Sequence, residues 1–455
     1  MQLVTCHDLG SVVDRHLRRV SRDQNMRYHR WPRGYRTPTV SYERRLAPCR
    51  QKREADLTLS GLEMAQTQNR HDDGLGIRER RIKEGWRVEL VDPTKQDGTS
   101  LSWCAVIGLN VRIGSTCVRT GGIAGVGTHK QYRRLGYSRR VMNAAIALMQ
   151  RQQLGVSLLH GIQDYYHRFD YITCMAEHRF ALETASLRLP AAECGRMRLR
   201  RLTKNDLPVI ARLFNRQNTE RTGSIVRVAK KFDGFHKGTW WTIPADVRVV
   251  VDSKQKISGY VVCDRIDDHC RVSEVGGQGR EVWSAIVNYL GRRAKRGGHA
   301  QIEVLCAPDE PFGIFCRSFG VHLLSQFPRN ERTMGRVIDL RKCMISILPE
   351  LERRWGSHDR KQAIFLKTDI GDLILRWRAG HLAVDDGKRG RKASGSGQES
   401  VVSMNQSALT LLLFGYARPS DVILSGQARI PATQRRLMER LFPLQDAYMS
   451  WTDRF

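Results

Sequence analysis

The sequence predicts an α/β chain of the α+β kind. One strand-and-helix unit is followed by a diverged copy of itself and then by a smaller α+β unit of different texture. Three observations predict this. From Leu101 onward, period-2 apolar runs alternate with helix-period runs. The elements that follow Leu101 are echoed, in the same order, from Met197. After Leu340 the texture changes to a tight hairpin, a low-complexity stretch and two helical runs.

The first unit opens its β signal with "SWCAVIGLNVRIG" and "TCVRTGGIAGVGT", two strand runs separated by Gly114 and Ser115. "YRRLGYSRR" (132–140) follows as a basic turn. A helix from about Ser138 is predicted by Val141, Met142, Ala145, Ile146 and Met149 on one face. "GVSLLHGI" reads as a buried strand. Before Leu101 only "IRERRIKEGWRVELVDPTKQDG" stands out, and it matches no template well.

In the second unit "MRLRRLTKNDLPVIARLFNRQN" reads strand, cap, helix. Asp206 is the expected N-cap, Pro208 is tolerated in the first turn, and Leu207, Ile210, Leu213 and Phe214 form the apolar face. "VRVVVDSKQKISGYVVCDR" is a hairpin turning at 252–256, "REVWSAIVNYLGRRAKRG" is helical and "AQIEVLC" is a strand. Beyond 340, "DLILRWRAGHLAVDD" is a hairpin turning at Ala379 and Gly380, "GKRGRKASGSGQES" (387–400) is a flexible loop, and a strand and two helices complete the chain.

Composition bounds the function. The 455 residues suggest roughly two to four domains. A hydrophobic content of 41% supports packed cores. The formal net charge of +30 predicts a surface that attracts polyanions or phosphate-bearing ligands. Eleven cysteines without a CxxC pair argue against a disulfide scaffold or a structural zinc site, and read as reduced thiols of a cytoplasmic protein. No metal is expected. No apolar run reaches the ~20 residues of a membrane span, and the N-terminus lacks a secretory pattern. Residues 1–63 are Arg-rich and aperiodic. They read as a disordered basic arm that could bind nucleic acid, or as an over-long gene start ahead of Met64.

The basic turn carries the chemistry. A helix N-terminus leaves its first N–H groups unpaired and bears about +0.5 charge. A glycine in front lets backbone approach a phosphate, and arginines at the rim add charge-assisted contacts. Strand, "RRLGYS", helix is therefore a pyrophosphate cradle, although it lacks the Walker and dinucleotide signatures.

That pattern resembles the acetyl-CoA loop of GNAT acyltransferases. The resemblance implies that Val126, Gly127 and Thr128 meet the pantetheine arm, while Arg133, Arg134, Leu135, Gly136, Tyr137, Ser138 and Arg139 surround the pyrophosphate. Gly161 and Ile162 complete the expected coenzyme contacts. Further on, "DYYHRFDYITC" is similar to the "IYGRFGY" segment of the Eis-type (enhanced intracellular survival) acetyltransferases. The resemblance extends from about Ser102 to Phe455. It implies tandem GNAT folds, the second degenerate, followed by a sterol-carrier-protein-like domain. The expected domains are the extension over 1–63, an N-terminal GNAT domain over 64–190, a degenerate copy over 191–340 and the last domain over 341–455. In the degenerate copy "EVGGQGREVW" has lost the arginine pair and gained Glu274 and Glu281, which are expected to repel phosphate.

By the same resemblance Tyr166 is the general acid, the α-carboxylate of Phe455 is the general base, and the Val126 N–H is the oxyanion donor. Tyr165 and Tyr171 compete with Tyr166 on residue type alone. The expected partners are acetyl-CoA as donor, an amine acceptor, and copies of the chain in a homo-oligomer, a hexamer by resemblance. A GNAT domain normally opens with a strand and helices that shape the acceptor pocket, and the stretch before Leu101 departs from that pattern. Three other readings stand beside the enzyme. They are a nucleic-acid-binding protein on inert GNAT folds, a carrier of apolar ligands through the last domain, and a tRNA-dependent aminoacyl transferase.

Overall fold

The computed structural model describes residues 74–94, 98–187, 195–265, 270–356, 362–387 and 401–455. The 1–63 extension, and all of the 387–400 loop except Gly387, lie outside the described residues.

Three mixed sheets organise the chain. The first contains β1 (Gly76–Ile82), β2 (Gly85–Val91), β3 (Ser100–Ile113), β4 (Thr116–Thr128), β5 (Val156–Gly161), β6 (Ile172–Thr173) and β14 (Arg332–Val337), in the order β1-β2-β3-β4-β5-β14-β6. The second contains β7 (Glu177–Glu183), β8 (Arg198–Arg201), β9 (Ala245–Val251), β10 (Ile257–Asp264), β11 (Cys270–Gly277), β12 (Gln301–Val304) and β13 (Val321–Gln326), in the order β13-β7-β12-β11-β10-β9-β8. The third contains β15 (Ala363–Thr368), β16 (Gly371–Arg378), β17 (His381–Asp386), β18 (Val401–Met404) and β19 (Ala428–Arg429), in the order β17-β16-β15-β18-β19.

The first two sheets exchange strands. β14, late in the chain, lies between β5 and β6, whereas β7, early in the chain, lies between β12 and β13. Sheet membership therefore crosses the expected 190/191 boundary in both directions. An alternating strand satisfies its backbone equally well on either edge, so no local residue pattern announces the exchange.

Helix α1 (Tyr137–Arg151) covers one face of the first sheet. It buries Val141, Met142, Ala145, Leu148 and Met149 against Val88, Val106, Ile123 and Leu159. Each fully buried Val, Leu, Ile or Met among them contributes about 1.5–3 kcal/mol. The opposite face, carrying Val111, Val118, Val156 and Leu158, shares one core with helix α5 (Leu340–Trp355) and the third sheet. In the second sheet, α2 (Leu207–Gln217) packs Ile210 and Leu213 on Val249 and Tyr260, while α3 (Arg280–Arg296) and α4 (Pro311–Cys316) complete a separate core. Helices α6 (Gln406–Leu413), α7 (Pro419–Leu424) and α8 (Ala432–Leu441) accompany the third sheet, one helix more than the sequence pattern predicts.

Two local readings gain detail. Asp206 is the N-cap of α2 as expected, but its side chain makes no capping bond to that helix, and the side-chain capping box lies one turn earlier, between Thr203 and Asp206. A single 3₁₀ turn, Lys204–Asp206, intervenes, and the Asp206 carboxylate turns back to accept from Thr203 N at 2.7 Å. The bidentate Arg200 pair and those Thr203 bonds hold Asp206 down to about pKa 2. Before Leu101, β1 and β2 form a complete hairpin turning at Lys83 and Glu84, with no helix between them. Glu89, buried on β2, gathers Arg78, Arg80, Arg87 and Ser100, and this pins the hairpin to β3. The charged residues that obscured the strand pattern are the ones that make this network.

Candidate active site

The parallel pairing of β4 with β5 runs from Thr120↔Val156 to Ile123↔Leu159 and ends there. β4 stays paired with β3 as far as Ser102↔Thr128. One extra residue is accommodated opposite Trp103–Ala105, where Gly125 takes φ 55°. This bulge swings the end of β4 away from β5. The two strands are unpaired beyond Ile123 and Leu159, which leaves an opening with Val126, Gly127 and Thr128 following on one lip and Gly161 and Ile162 on the other. The Trp103 indole covers Gly127, where a Cβ would lie 2.6 Å from the ring.

The turn after β4 delivers the helix start to the mouth of this opening. A single 3₁₀ turn (Lys130–Tyr132) leads to Arg134 at φ 67° and Gly136 at φ 78°, both left-handed. Gly136 is the N-cap of α1, no side chain caps the helix, and its first turn holds no acidic residue. The guanidinium groups of Arg133, Arg134 and Arg139 are exposed around it, and Arg133 engages the Thr128 carbonyl at 3.4 Å. This is the electrostatics an incoming diphosphate needs: unpaired amides, the positive end of a dipole and rim cations. Ser138 lies in the same turn, with its Oγ accepting from Tyr165 Oη at 2.7 Å.

That bond separates the three tyrosines. Tyr165 is tied to the helix start, and Tyr171 is buried in a hydrogen-bonded pair with Ser157 at 2.7 Å. Tyr166 opens a short 3₁₀ turn (Tyr166–Phe169) and packs beside Gly161, whose Cβ would lie 3.0 Å from Tyr166 Cδ2. Its hydroxyl has no hydrogen-bond partner among the described residues. Burial pushes its pKa up to about 12, so the phenol keeps its proton at neutral pH.

The other face of the opening belongs to the end of the chain. Neighbouring residues on a strand point to opposite faces. A Cβ on Gly121 would run into Met149 of α1, whereas a Cβ on Gly122 would lie 2.6 Å from Cε2 and Cζ of Phe455. Tyr166 thus belongs to the α1 side and the Phe455 ring to the side facing the third sheet. His160, at the end of β5, has its ring centroid 6.2 Å from that of Trp451. Burial, together with Arg454, Arg332 and Lys237, depresses its pKa to about 3, which leaves it neutral. Burial also lowers Lys237 to about 8, and its ammonium sits 3.8 Å over the Trp241 ring. Sequence reasoning passed over these groups. The histidine in "SLLHG" was the available signal, because a polar side chain interrupts an otherwise apolar strand.

One expectation changes meaning. Glu274 does not stand at a phosphate mouth. It is buried on β11, where it accepts from both terminal nitrogens of Arg227 at 2.7 and 2.6 Å, and its charge is neutralised there. Among the described residues no three His, Cys, Asp or Glu side chains converge as a metal site, and no helix is long and apolar enough to cross a membrane.

Comparisons with known proteins bear on the class of the domain and of the fold. Residues 63–174 match the acetyltransferase (GNAT) domain family. Over those residues the chain therefore carries an acetyltransferase domain of the GNAT class, a family that implies acetyl-CoA as acyl donor. Among solved structures, it is similar to a GCN5-related N-acetyltransferase from Anabaena variabilis ATCC 29413 (TM-score 0.62, 16% identity, 81% of this chain and 89% of that one). It is also similar to a probable N-acyltransferase of unknown function from Enterococcus faecalis V583 (TM-score 0.64, 14% identity, 82% and 90%). A third likeness is to Eis1 from Mycobacterium abscessus (TM-score 0.57, 13% identity, 82% and 92%). At these identities the likeness is one of fold. A comparison with curated proteins finds no match.

Proposed function

We propose that the protein is an acetyl-CoA-dependent N-acetyltransferase of the Eis type, transferring acetyl to an amine directly in a ternary complex. One observation carries the reading: Phe455 is folded back onto Gly122, one residue before β4 parts from β5, while Tyr166 packs on the other face of the sheet beside Gly161. The thioester enters through the opening, with its diphosphate at the start of α1 and its pantetheine arm between the lips at Val126–Thr128 and Gly161–Ile162.

The chemistry then balances as follows. The amine lone pair forms the C–N bond while the Val126 N–H stabilises the oxyanion. The C–S bond breaks, and the departing thiolate takes the Tyr166 proton. The new ammonium loses a proton, through water, to the Phe455 carboxylate. An α-carboxyl has a pKa of about 3.5, so it is ionised and ready to accept at neutral pH. The cations around His160, namely Arg454, Arg332 and Lys237, disfavour a polycationic acceptor. A homo-oligomer, hexameric by resemblance, is part of the same reading.

The test follows CoA release with neutral, acidic and polycationic amines, comparing wild type, Tyr166→Phe and a chain extended by one residue past Phe455. The extension is expected to abolish turnover while coenzyme affinity persists, and polycationic amines are expected to be the poorest acceptors. An unchanged rate in the extended chain removes the base assignment.

A further inference from the structure

The second sheet repeats the opening of the first. β11 pairs with β12 from Cys270↔Ile302 to Val272↔Val304 and then leaves it, while β11 stays paired with β10 as far as Gly277. Here the protein's own side chains occupy the gap, leaving beside them a cavity of about 30 Å³ lined by Gln217, Glu274, Val275, Leu305, Tyr448 and Ser450. The Gln217 carboxamide donates to Val275 O at 3.3 Å and accepts from Gly277 N at 2.9 Å. These are the two bonds a neighbouring strand, or the amide of a pantetheine arm, would make with that lip. On the other lip Leu305 O accepts from Tyr448 Oη at 2.8 Å.

The filling continues as the C-terminal tail. Tyr448 N donates to Thr222 O at 2.9 Å. Ser450 Oγ and Thr452 Oγ1 both donate to Glu274, which also accepts from Tyr260 Oη at 2.6 Å. Arg227 joins Glu274 to Asp453, at 3.0 Å, and lies 3.6 Å over the Phe214 ring. Arg454 grips Glu177 of β7 through three contacts of 3.0–3.1 Å. Most of the residues from 448 to 454 are thus held, and the next one is Phe455 on Gly122.

We propose that the closed opening of the second unit is a clamp. Gln217 and Tyr448 occupy the slot, and the buried Arg227–Glu274 pair binds the tail so that the Phe455 carboxylate is presented at the open slot of the first unit. Glu274 and Arg227 are then positioning residues for the terminal base. The degenerate copy serves the reaction by holding one end of the chain rather than a second coenzyme. This rests on the reading of Phe455 as the base, but the clamp itself is measurable without catalysis.

The experiment uses the full chain and carboxypeptidase A, which removes a terminal aromatic residue and halts at the arginine before it. In the Ser450→Ala/Thr452→Val variant, which leaves the Arg227–Glu274 pair intact, release of Phe455 is expected to accelerate at least about tenfold. Melting temperature and coenzyme affinity are expected to stay near wild type. Turnover should show kcat falling with KM for acetyl-CoA unchanged, with kcat counted per coenzyme site titrated in the same sample so that a loss of folded enzyme does not mimic the effect. Tyr448→Phe, a milder change, should move release in the same direction. Equal release rates in wild type and both variants would overturn the clamp. If wild type itself binds no coenzyme, the proposed function falls, and the release comparison still decides whether the tail is clamped.

Discussion

The Phe455 ring lies so close to Gly122 that a Cβ on the glycine would sit 2.6 Å from two of its carbons. The end of the chain and the middle of β4 are therefore one packing unit. Gly122→Val should push the tail off the sheet while leaving the lips and the α1 turn in place. Since a displacement of about 1 Å can cost roughly a hundredfold in rate, kcat is expected to fall by about that factor. Coenzyme affinity, measured by titration calorimetry, should change little.

The α1 turn offers the coenzyme a separate handle. Each charge-assisted hydrogen bond contributes about 1.5–3 kcal/mol. Arg133→Glu/Arg134→Glu is thus expected to weaken CoA binding by about a hundredfold or more, and increasingly so at low salt. Glutamate retains a Cβ at the left-handed position 134, so the backbone conformation is no worse than in wild type. Unchanged affinity in a folded sample would remove the pyrophosphate cradle.

Tyr166→Phe should lower kcat by about 10²–10⁴-fold, the usual range for a positioned acid, with coenzyme affinity retained. The pH profile gives the sharper check. Burial holds the phenol protonated up to a pKa of about 12. No alkaline fall in rate from this residue is expected below about pH 11, whereas an ordinary tyrosine ionises near 10.

Glu350 of α5 ties the third unit to the β3–β4 turn. It accepts from Ser115 Oγ at 2.7 Å, Arg353 at 2.6 Å and Arg354 at 2.5 Å. Burial opposes its charge, but the Arg353, Ser115 and Arg354 contacts win, and its pKa falls from 4.5 to about 2. The folded state binds that proton more weakly than the unfolded chain does. The stabilisation is therefore complete above pH 4.5 and is lost as pH drops toward 2. Glu350→Gln should cost about 2–3 kcal/mol in denaturant unfolding at pH 7. The gap from wild type should narrow steadily on acidification below pH 4.5.

Much of the candidate site was legible along the chain. Val126–Thr128, the arginines and Gly136 lie within one strand–turn–helix, where backbone preference and periodicity act over a few residues. Residue type alone did not distinguish the three tyrosines; what does is that Ser138 holds the Tyr165 hydroxyl and Ser157 that of Tyr171, partners far away in the chain. Glu274 was misjudged for a related reason. Its sign was readable, but the arginine that neutralises it stands at 227, and the two meet only when β11 is buried against the loop that follows α2.

By itself the sequence determined the β3–β4 hairpin, α1 and β5, the β9–β10 hairpin with α2, α3 and β12, and the β16–β17 hairpin with α6 and α8, because each follows from contacts between near neighbours. The tertiary structure alone decided that β7 and β14 trade sheets, that Gln217 occupies the second slot and that Phe455 reaches Gly122. Those outcomes are selections among partners far apart in the chain. They are made by burial and hydrogen-bond satisfaction in the folded core, which leave no periodic trace in the residues that take part.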